Sequence, residues 1–235
     1  MSQAKYKRVL LKLSGEALAG DRGFGLDQPT LNQIGRTIRD LLDMEIEVAI
    51  VVGGGNFWRG RSSGDMDRVT ADHMGMLATT INALGLSDAL QHAGCETRVM
   101  SAIEMRQICE TYIRLRAIHH LERGRVTIFA CGTGNPFFST DSAMALRAAE
   151  INADIILKAT NVDGIYDSDP KINADAVRYT KVTHQEVLQK NLKVMDANAA
   201  AIARDNSLRI IVFSLADPDN IVRICQGEAI GTLVY

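Results

Sequence analysis

The sequence lacks the residue clusters that build metal sites and disulfide frameworks. Its four cysteines, Cys95, Cys109, Cys131 and Cys225, are scattered without a C-x-x-C pair, and its five histidines form no H-E-x-x-H motif. Close spacing is what lets such residues share a zinc ion or cross-link a small fold. We therefore predict reduced thiols, no zinc centre and a cytoplasmic protein.

The sequence also lacks a charge excess and a long hydrophobic run. The formal net charge is −2 at pH 7, without the block of like charges that indicates a nucleic-acid or membrane partner. No apolar run reaches the roughly 18 residues that a spanning helix needs. The start, MSQAKYKRVLLKL, has neither the apolar core nor the cleavage site of a signal peptide. These features predict a soluble globular protein with no DNA-binding signal and no membrane segment.

What the sequence does contain is an alternation of strand and helix patterns. Short apolar, β-branched runs predict strands at 9–13, 48–52, 98–100, 126–130, 155–157, 210–213 and 233–234. Helical patterns lie between them at about 31–42, 74–84, 104–122 and 142–151, and another begins after Thr183. Strands separated by helices indicate an α/β fold with a mostly parallel central sheet sandwiched by helices, here as a single domain over residues 1–235. Ligands of such folds bind at the carboxyl ends of the strands.

Local signals mark the ends and faces of these helices. Asp27 is a candidate N-cap for the first helix, and Gly124 is a C-cap signal after the third. Thr183 and Glu186 have the spacing of a capping box. One face of the second helix carries apolar side chains, namely Met74, Leu77, Ile81 and Leu84.

The stretch VAIVVGGGNFWRG, residues 48–60, predicts a phosphate-binding loop. Its apolar run is typical of a strand buried on both faces, and it stops at Gly53, Gly54 and Gly55. Glycines can take positive φ and let backbone N–H groups approach an anion, while Arg59 adds a permanent charge. The alternative is a tight turn that binds nothing.

Two known glycine-loop patterns fit this stretch poorly. The dinucleotide fingerprint G-x-G-x-x-G fails because its sixth position, counted from Gly53, is Trp58. The Walker A pattern nearly fits from Gly55 to Gly60 and Ser62, but Arg61 replaces the lysine and leads into loop residues. We interpret that near match as chance.

Two lysines interrupt apolar strands just before the strands end. Lys12 precedes Ser14 and Gly15, and Lys158 precedes Thr160. A charge in a buried strand is costly unless it is paired or bound to an anion. We therefore expect both lysines to point at one anion. The alternative is that each strand lies at a sheet edge and its lysine reaches water.

Two further loops have the composition of ligand-binding segments. In GTGNPFFSTD, residues 132–141, Gly132 and Gly134 allow close backbone approach, and Thr140 stands where a helix would begin, either near phosphate or merely as an N-cap. Phe137 and Phe138 either wall a planar ligand or anchor the loop in the core. In NVDGIYDSDP, residues 161–170, a hairpin-type Asp163-Gly164 pair precedes an aromatic and a carboxylate that suit an adenosine, although turns are rich in aspartate in any case.

Taken together, these motifs resemble the bacterial uridylate kinase family, within the amino acid kinase superfamily. The segments that carry the resemblance are KLSGEAL (12–18), GFG (23–25), VVGGGNFWRG (51–60), DHMGMLAT (72–79), TGNPFFSTD (133–141), LKATNVDGIYDSDP (157–170) and LKVMD (192–196). The resemblance implies a carbamate kinase-like fold, a homohexamer and direct in-line transfer from ATP to UMP, giving ADP and UDP in pyrimidine nucleotide biosynthesis. It also implies GTP as an activator, UTP as an inhibitor, and Mg²⁺ carried by the nucleotide, not by a protein metal site.

The resemblance also implies roles for individual residues. Catalysis falls to Lys12, Lys158, Asp141 and Asp196. ATP binding falls to Lys12, Leu13, Ser14, Gly15, Gly55, Arg59, Thr160, Asn161, Tyr166 and Asp169. UMP binding falls to Gly54, Asp72, Thr133, Gly134, Asn135, Pro136, Phe137, Phe138, Ser139 and Thr140. The segment matched to GTP activation comprises Gly20, Asp21, Arg22, Gly23, Phe24 and Gly25.

Three alternative functions remain open from the sequence. A Walker-type NTPase would hydrolyse ATP without an acceptor, although Arg61 argues against it. Another kinase of the superfamily would act on a carboxylate or carbamate but has no reason to match TGNPFFSTD. A nucleotide-binding protein without activity would bind UMP or ATP and form no UDP. Phosphoryl transfer to UMP needs no general base, because the acceptor phosphate is already ionised near neutral pH, so we interpret His73 as helix surface or site wall.

Overall fold

A nine-stranded sheet lies at the centre of the computed structural model, which describes residues 4–59, 65–170, 172–173, 175–192 and 194–235. The strands are β1 (Arg8–Leu13), β2 (Glu47–Val52), β3 (Thr97–Ser101), β4 (Glu110–Thr111), β5 (Val126–Ala130), β6 (Ile155–Thr160), β7 (Ile165–Tyr166), β8 (Arg178–Tyr179), β9 (Lys181–Val182), β10 (Ile210–Ser214) and β11 (Thr232–Val234). The helices are α1 (Gly15–Ala19), α2 (Gln28–Asp43), α3 (Arg68–His92), α4 (Arg114–Glu122), α5 (Thr140–Glu150), α6 (His184–Gln189), α7 (Ala197–Asp205) and α8 (Asn220–Cys225).

The sheet is mostly parallel, as predicted. Its strand order is β4-β3-β5-β2-β1-β6-β10-β11-β9, and β7 pairs with β8 in a separate two-stranded ribbon. Every neighbouring pair in the large sheet is parallel except β10 with β11. The central strands β2 and β5 are buried along their whole length, which explains their continuous apolar runs.

Helices cover both faces of the sheet and form two hydrophobic cores. Apolar side chains of α2, α3 and α8 pack on one face, and those of α4, α5, α6 and α7 pack on the other. Successive side chains of a strand point to opposite faces, so Leu11 and Leu13 enter the first core while Leu10 enters the second. By the same alternation, Lys12 and Lys158 project from the face that α5 covers.

Most predicted elements are confirmed, including their local signals. The Asp27 side chain accepts a hydrogen bond from the backbone N–H of Thr30 at the start of α2, and Thr183 and Glu186 form a reciprocal capping box at α6. Gly124 has φ of 70° just after α4, as a C-cap signal requires. Strand β5 has the predicted bounds.

The helix predicted from residue 104 to residue 122 is wrong in its first half. A single turn follows Met105, and then Glu110 and Thr111 pair with β3 as an edge strand. The backbone N–H of Tyr112 extends this pairing by donating to the carbonyl of Ser101. Consecutive Thr111, Tyr112 and Ile113 favour extended backbone, so a helix forms only from Arg114.

The Asp163-Gly164 pair does not form the predicted hairpin turn. Both residues precede β7, whose antiparallel partner β8 lies more than ten residues further along the chain. Gly164 is required for space instead, because a Cβ there would lie 2.7 Å from Thr232 Oγ1 and 2.8 Å from Arg178 Cδ. Short helices α1, α7 and α8 were not predicted.

The predicted apolar face of α3 points to solvent. Leu77, Ile81 and Leu84 are exposed, while Ala83, Leu86 and Leu90 pack into the core. The helix is therefore apolar on two sides, one of them uncovered in the single chain. None of the helices in the described part of the chain has the length and apolar character that crossing a membrane requires.

Candidate active site

Four loops meet at the carboxyl ends of adjacent strands. They follow β5, β2, β1 and β6, which are neighbours in that order across the sheet. The loop after β2 begins at Gly53, whose N–H donates to the carbonyl of Leu13 at the end of β1. The fold thus brings together the glycine stretch, both lysines and the GTGNPFFSTD loop, which are spread between residues 12 and 158 of the sequence.

The two strand lysines lie side by side. Lys12 and Lys158 are register partners on β1 and β6, which are central strands, so the edge-strand alternative is wrong. Lys12 Nζ lies 3.2 Å from Asp141 Oδ1, and Lys158 Nζ donates to Asp141 Oδ2 and to the carbonyl oxygen of Val194. One carboxylate therefore bridges the buried ammonium group of Lys158 and the partly buried one of Lys12.

Lys12, Lys158, Asp141 and Asp196 together set the electrostatics of this cluster. Burial raises the pKa of the Asp141 carboxyl, but the charges of Lys12 and Lys158 outweigh burial and hold that pKa below its usual range. Burial, reinforced by the charge of Lys12, lowers the pKa of Lys158 against the opposing effect of Asp141. The charge of Asp196 also acts to raise the pKa of Lys158, but in direct contact the two ammonium groups share the single carboxylate of Asp141.

The start of α5 fixes Asp141 in this position. Ser139 is the N-cap of α5, with its hydroxyl accepting from the N–H groups of Asp141 and Ser142, so the N-cap alternative for Thr140 is wrong. Asp196 holds the same turn by accepting from the hydroxyls of Ser139 and Ser142, and it also caps α7 through the N–H of Ala199. Asp196 therefore touches the helix start, not the lysines directly.

Glycine is required in this loop because of limited space and not because of positive φ. None of Gly53, Gly54 and Gly55 has positive φ, which corrects that part of the sequence argument. A Cβ at Gly54 would lie 2.7 Å from the carbonyl oxygen of Gly75, and one at Gly55 would lie 2.7 Å from Glu16 Oε1. The loop backbone thus packs directly against α3 and α1.

A buried pair of asparagines supports this loop. Asn82 on α3 donates through Nδ2 to the carbonyl of Gly53 and to Asn56 Oδ1, and Asn56 Nδ2 donates to Asn82 Oδ1 and to the carbonyl of Gly25. Both side chains are buried. Neither asparagine is among the predicted site residues, because α3 contains several polar residues and no local pattern distinguishes Asn82 from the others.

A pocket opens beside the glycine loop and contains most of the residues matched to UMP. Asp72 Oδ2 accepts from Arg68 Nε at 2.9 Å and from the backbone N–H of Phe137 at 2.8 Å. The side chains of Arg68, Trp58 and Thr79, which the sequence analysis missed, also belong to the pocket lining. The full lining comprises Gly54, Gly55, Trp58, Arg68, Ala71, Asp72, Gly75, Met76, Thr79, Cys131, Gly132, Thr133, Asn135, Phe138, Ser139 and Thr140.

The two phenylalanines of this loop do not anchor it in the core. Phe137 has φ of 70° and is 61% exposed, and Phe138 is 48% exposed while lining the pocket. The reversed backbone at Phe137 turns the loop outward. The interpretation as a pocket wall therefore fits Phe138, and Arg68 lies over the Phe137 ring at 5.7 Å.

A second pocket lies on the other side of the lysine pair, at β6 and β7. Thr160, Tyr166 and Asp169 line it together with Leu192 and Val194. The Tyr166 hydroxyl donates to Asp163 Oδ1 at 2.7 Å, and the Thr160 hydroxyl donates to the carbonyl of Val162 at 2.6 Å. Asn161, between Thr160 and Val162 of this lining, is exposed and is not itself part of the lining.

The remaining matched residues flank the glycine loop. The Ser14 hydroxyl caps α1, and Arg59 pairs with Glu16 of that helix. The segment 20–25 packs against residues 56–57, because Gly25 bonds to Asn56 and the rings of Phe24 and Phe57 meet edge to face at 5.5 Å. Gly60, Arg61, Ser62 and Lys193 lie outside the described residues.

The described residues include no cluster of three or more histidines, cysteines or carboxylates that could hold a metal ion. Asp141 is engaged by two lysines, and Asp196 by Ser139, Ser142 and Ala199. The four cysteines are free thiols.

The arrangement is suited to holding two anionic ligands end to end. One pocket ends at the β5 and β2 loops, the other ends at β6, and the lysine pair lies between them on β1 and β6. Fixed cations between two ligand sites can neutralise charge on a group that passes from one ligand to the other.

Residues 7–214 match the model of the amino acid kinase family. Among solved structures, the chain is 45% identical to the UMP kinase of Bacillus anthracis, with a TM-score of 0.94 over 97% of this chain and 96% of that one. It is 39% identical to the UMP kinase of Ureaplasma parvum, with a TM-score of 0.91 over 98% and 99%. It is also 28% identical to the uridylate kinase of Archaeoglobus fulgidus, with a TM-score of 0.75 over 97% and 99%.

Proposed function

The chain belongs to the amino acid kinase family, and we propose that it transfers the γ-phosphoryl group of ATP to UMP, forming ADP and UDP for pyrimidine nucleotide biosynthesis. The observation that carries this proposal is the pairing of Lys12 with Lys158 between two pockets, in a chain that is 45% identical to a UMP kinase. Residues 1–235 act as one domain.

The proposed chemistry requires positioning and charge neutralisation. Phosphoryl transfer proceeds in line through a loose transition state, with negative charge spread over the moving group. Lys12 and Lys158 supply positive charge there, and Asp141 keeps both ammonium groups aligned. Asp196 acts one step further away, by holding the start of α5.

The two pockets divide the substrates between them. ATP occupies the pocket of Thr160, Tyr166 and Asp169, with Asn161 at its rim and its phosphates toward Leu13, Ser14, Gly15, Gly55 and Arg59. UMP occupies the pocket of Gly54 and Asp72 and the loop of Thr133, Gly134, Asn135, Pro136, Phe137, Phe138, Ser139 and Thr140. Mg²⁺ enters with ATP and supplies further positive charge to its phosphates.

We also propose that the protein is a cytoplasmic homo-oligomer of six chains. The exposed apolar stripe of Leu77, Ile81 and Leu84 on α3 supports assembly, because exposed apolar patches on soluble proteins mark contact surfaces. GTP as activator and UTP as inhibitor complete the proposal, with the segment 20–25 as the GTP-responsive part.

An acceptor panel tests this function directly. The protein is incubated with Mg²⁺ and ATP plus UMP, CMP, dTMP, glutamate, aspartate or carbamate, and ADP and the phosphorylated product are both quantified. We expect UDP in a one-to-one ratio with ADP, and much slower reaction with the other acceptors. Preference for a carboxylate or carbamate would indicate another kinase of the family. ADP without phosphorylated acceptor would indicate an ATPase, and binding without ADP would indicate a nucleotide-binding protein.

A further inference from the structure

We propose that Arg147, a buried residue of α5, is a positioning residue that holds the acceptor loop in its binding shape. The inference rests on the proposed function in assigning the loop 131–138 to the acceptor. Arg147 itself does not line the pocket of Gly54 and Asp72, which we call the acceptor pocket. It acts through the backbone of Gly132, the second residue of the loop.

The start of this loop has an unfavourable backbone conformation. Cys131 and Gly132 are consecutive residues with φ of 61° and 57°. Glycine adopts this left-handed region freely, but a residue with a Cβ does so only where its surroundings enforce it. Some contact must therefore hold the turn, since the loop cannot rely on local preference.

Contacts from two helices hold the turn on both sides. On the α3 side, the Thr79 hydroxyl accepts from the N–H of Cys131 at 2.8 Å. On the α5 side, Arg147 Nη2 donates to the carbonyl of Gly132 at 3.1 Å. The turn also closes on itself, with the N–H of Gly134 donating to the carbonyl of Cys131 at 2.8 Å.

Arg147 is itself fixed by a closed network. Its Nη1 donates to Glu150 Oε2 at 2.6 Å, and the Tyr112 hydroxyl donates to the same oxygen at 2.6 Å. The guanidinium also stacks on the Tyr112 ring, 3.9 Å from its centre, and the Tyr112 ring meets Phe129 edge to face. Burial and the hydrogen bond to Glu150 raise the pKa of Tyr112, so the phenol remains a donor.

The burial of this guanidinium indicates more than a generic ion pair. Arg147 is only 4% exposed. Burying a charge costs desolvation free energy, which is offset only where the charge has well-placed partners. Its planar fork reaches Glu150 and Gly132 while its face covers Tyr112. A lysine cannot make these three contacts at once, because its ammonium is a point charge without a stacking face.

Helix α5 thereby joins both halves of the site. Asp141 in its first turn aligns the two lysines, and Arg147 less than two turns later holds the acceptor loop. The position of the acceptor relative to the lysines is therefore set by one rigid helix.

The experiment compares Arg147→Lys and Arg147→Gln with wild type and with Arg39→Lys as a matched control. Arg39 also pairs with a carboxylate of its own helix, Asp43, and also donates to the carbonyl of a glycine with positive φ, Gly94, but on the exposed surface of α2. The measurements are hydrogen exchange of residues 131–138, KM for UMP and for ATP, kcat, and urea unfolding. The single tryptophan, Trp58, lines the acceptor pocket, so its fluorescence gives a separate UMP dissociation constant.

We expect both Arg147 variants to raise KM and Kd for UMP by roughly 10- to 100-fold, as loss of a charged hydrogen bond that positions a loop would do. KM for ATP should stay within about twofold, because changes at separate sites without shared partners act independently. Exchange should accelerate in residues 131–138 while strands β1 and β6 keep their protection. Arg39→Lys should change none of these values.

Two results would overturn the inference. One is unchanged exchange in the loop, and the other is equal acceleration throughout the chain with both KM values raised together, which would make Arg147 a general stabilising residue. The exchange measurement needs no substrate, so it judges Arg147 even if the wild-type protein fails to form UDP. That failure would count against the proposed function alone.

Discussion

At the scale of residues, the sharing of one carboxylate by two lysines is the main feature of the site. Two lysines share one aspartate in a largely buried cluster. Neither ammonium group has a directly contacting carboxylate of its own, although the charge of Asp196 also acts on Lys158. Under the proposed function, a phosphate group would bind to the same two lysines that neutralise its charge during transfer.

His184, which lies outside the site, contributes to the response of stability to acid. His184, at the start of α6, is buried; its Nε2 lies 2.6 Å from the carbonyl oxygen of Leu208, while Nδ1 has no hydrogen-bond partner. Burial lowers its pKa below the usual value of 6.5, and the nearby charge of Arg204 acts in the same direction. The folded state therefore resists protonation that the unfolded chain accepts.

The sign of the effect follows from this difference. Below about pH 6.5 the unfolded chain binds a proton that the folded chain does not, so the free energy of unfolding should fall as pH falls, by up to about 1.4 kcal/mol per pH unit for this group. Urea unfolding between pH 7 and pH 5 measures the slope. His184→Gln can keep the bond to Leu208 and should have a shallower slope, and an unchanged slope would contradict the assignment.

At the scale of elements, the glycine loop and α3 form one unit. The loop packs against Gly75 and Ala78 of α3, and Asn82 of the same helix holds the carbonyl of Gly53. Contact between backbone and helix this close leaves no room for a side chain. The position of the acceptor pocket therefore depends on the distance between the loop backbone and α3.

Gly54→Ala tests this dependence. The added methyl group would lie 2.7 Å from the carbonyl oxygen of Gly75 and 2.9 Å from the Ala78 Cβ, so the loop must shift away from α3. We expect KM for UMP to rise by about tenfold or more, since such misplacement near a reacting group is costly, with a smaller effect on KM for ATP. Steady-state kinetics with each substrate varied in turn gives both values. Wild-type values for both substrates would show that the loop tolerates the shift.

The elements also show where sequence analysis succeeds. Buried strands such as β5 were predicted with both ends, because their apolar runs are continuous and bounded by glycines. Helix α7 was missed because ANAAAIARD has small apolar residues without a clear period. Residues 110–111 were assigned to a helix because pairing with β3, which decides their conformation, is not visible in a local pattern.

The residues of the site also differ in whether a local sequence pattern reveals them. Lys12, Lys158 and the glycines could be found because they break the pattern of the strands that carry them. Asn82 and Arg147 could not, because each is defined by a carbonyl group elsewhere in the chain, on Gly53 and Gly132. Only the folded structure shows those partners.

At the scale of the whole molecule, the proposed assembly rests on the exposed apolar stripe of α3. Leu77 and Ile81 are about half exposed, at 51% and 48%, although the opposite side of the same helix is buried in the core. Covering such a stripe with a second copy would remove apolar surface from water at about 25 cal/mol per Å². Assembly and the integrity of α3, which carries Asp72 and Asn82, would then be linked.

Ile81→Glu tests that link, with Gln33→Glu on the exposed face of α2 as its control. A charge within the stripe should oppose self-association and shift the protein toward its monomer mass of 25.7 kDa, while the control keeps the wild-type assembly. Sedimentation velocity measures the distribution. A wild-type protein that is monomeric at micromolar concentration would refute the proposed oligomer.

The most direct measurement of the central claim is the turnover of ATP and UMP by Lys12→Met beside Lys7→Met. Lys7 lies just before the same strand, but its side chain is 80% exposed and pairs with Glu47 and not with Asp141. We expect Lys12→Met to fold normally yet to lose roughly 10²- to 10³-fold in kcat for UDP formation, the cost of removing one transition-state donor, while Lys7→Met keeps wild-type turnover. Near-normal UDP formation by Lys12→Met would show that Lys12 does not have the proposed role.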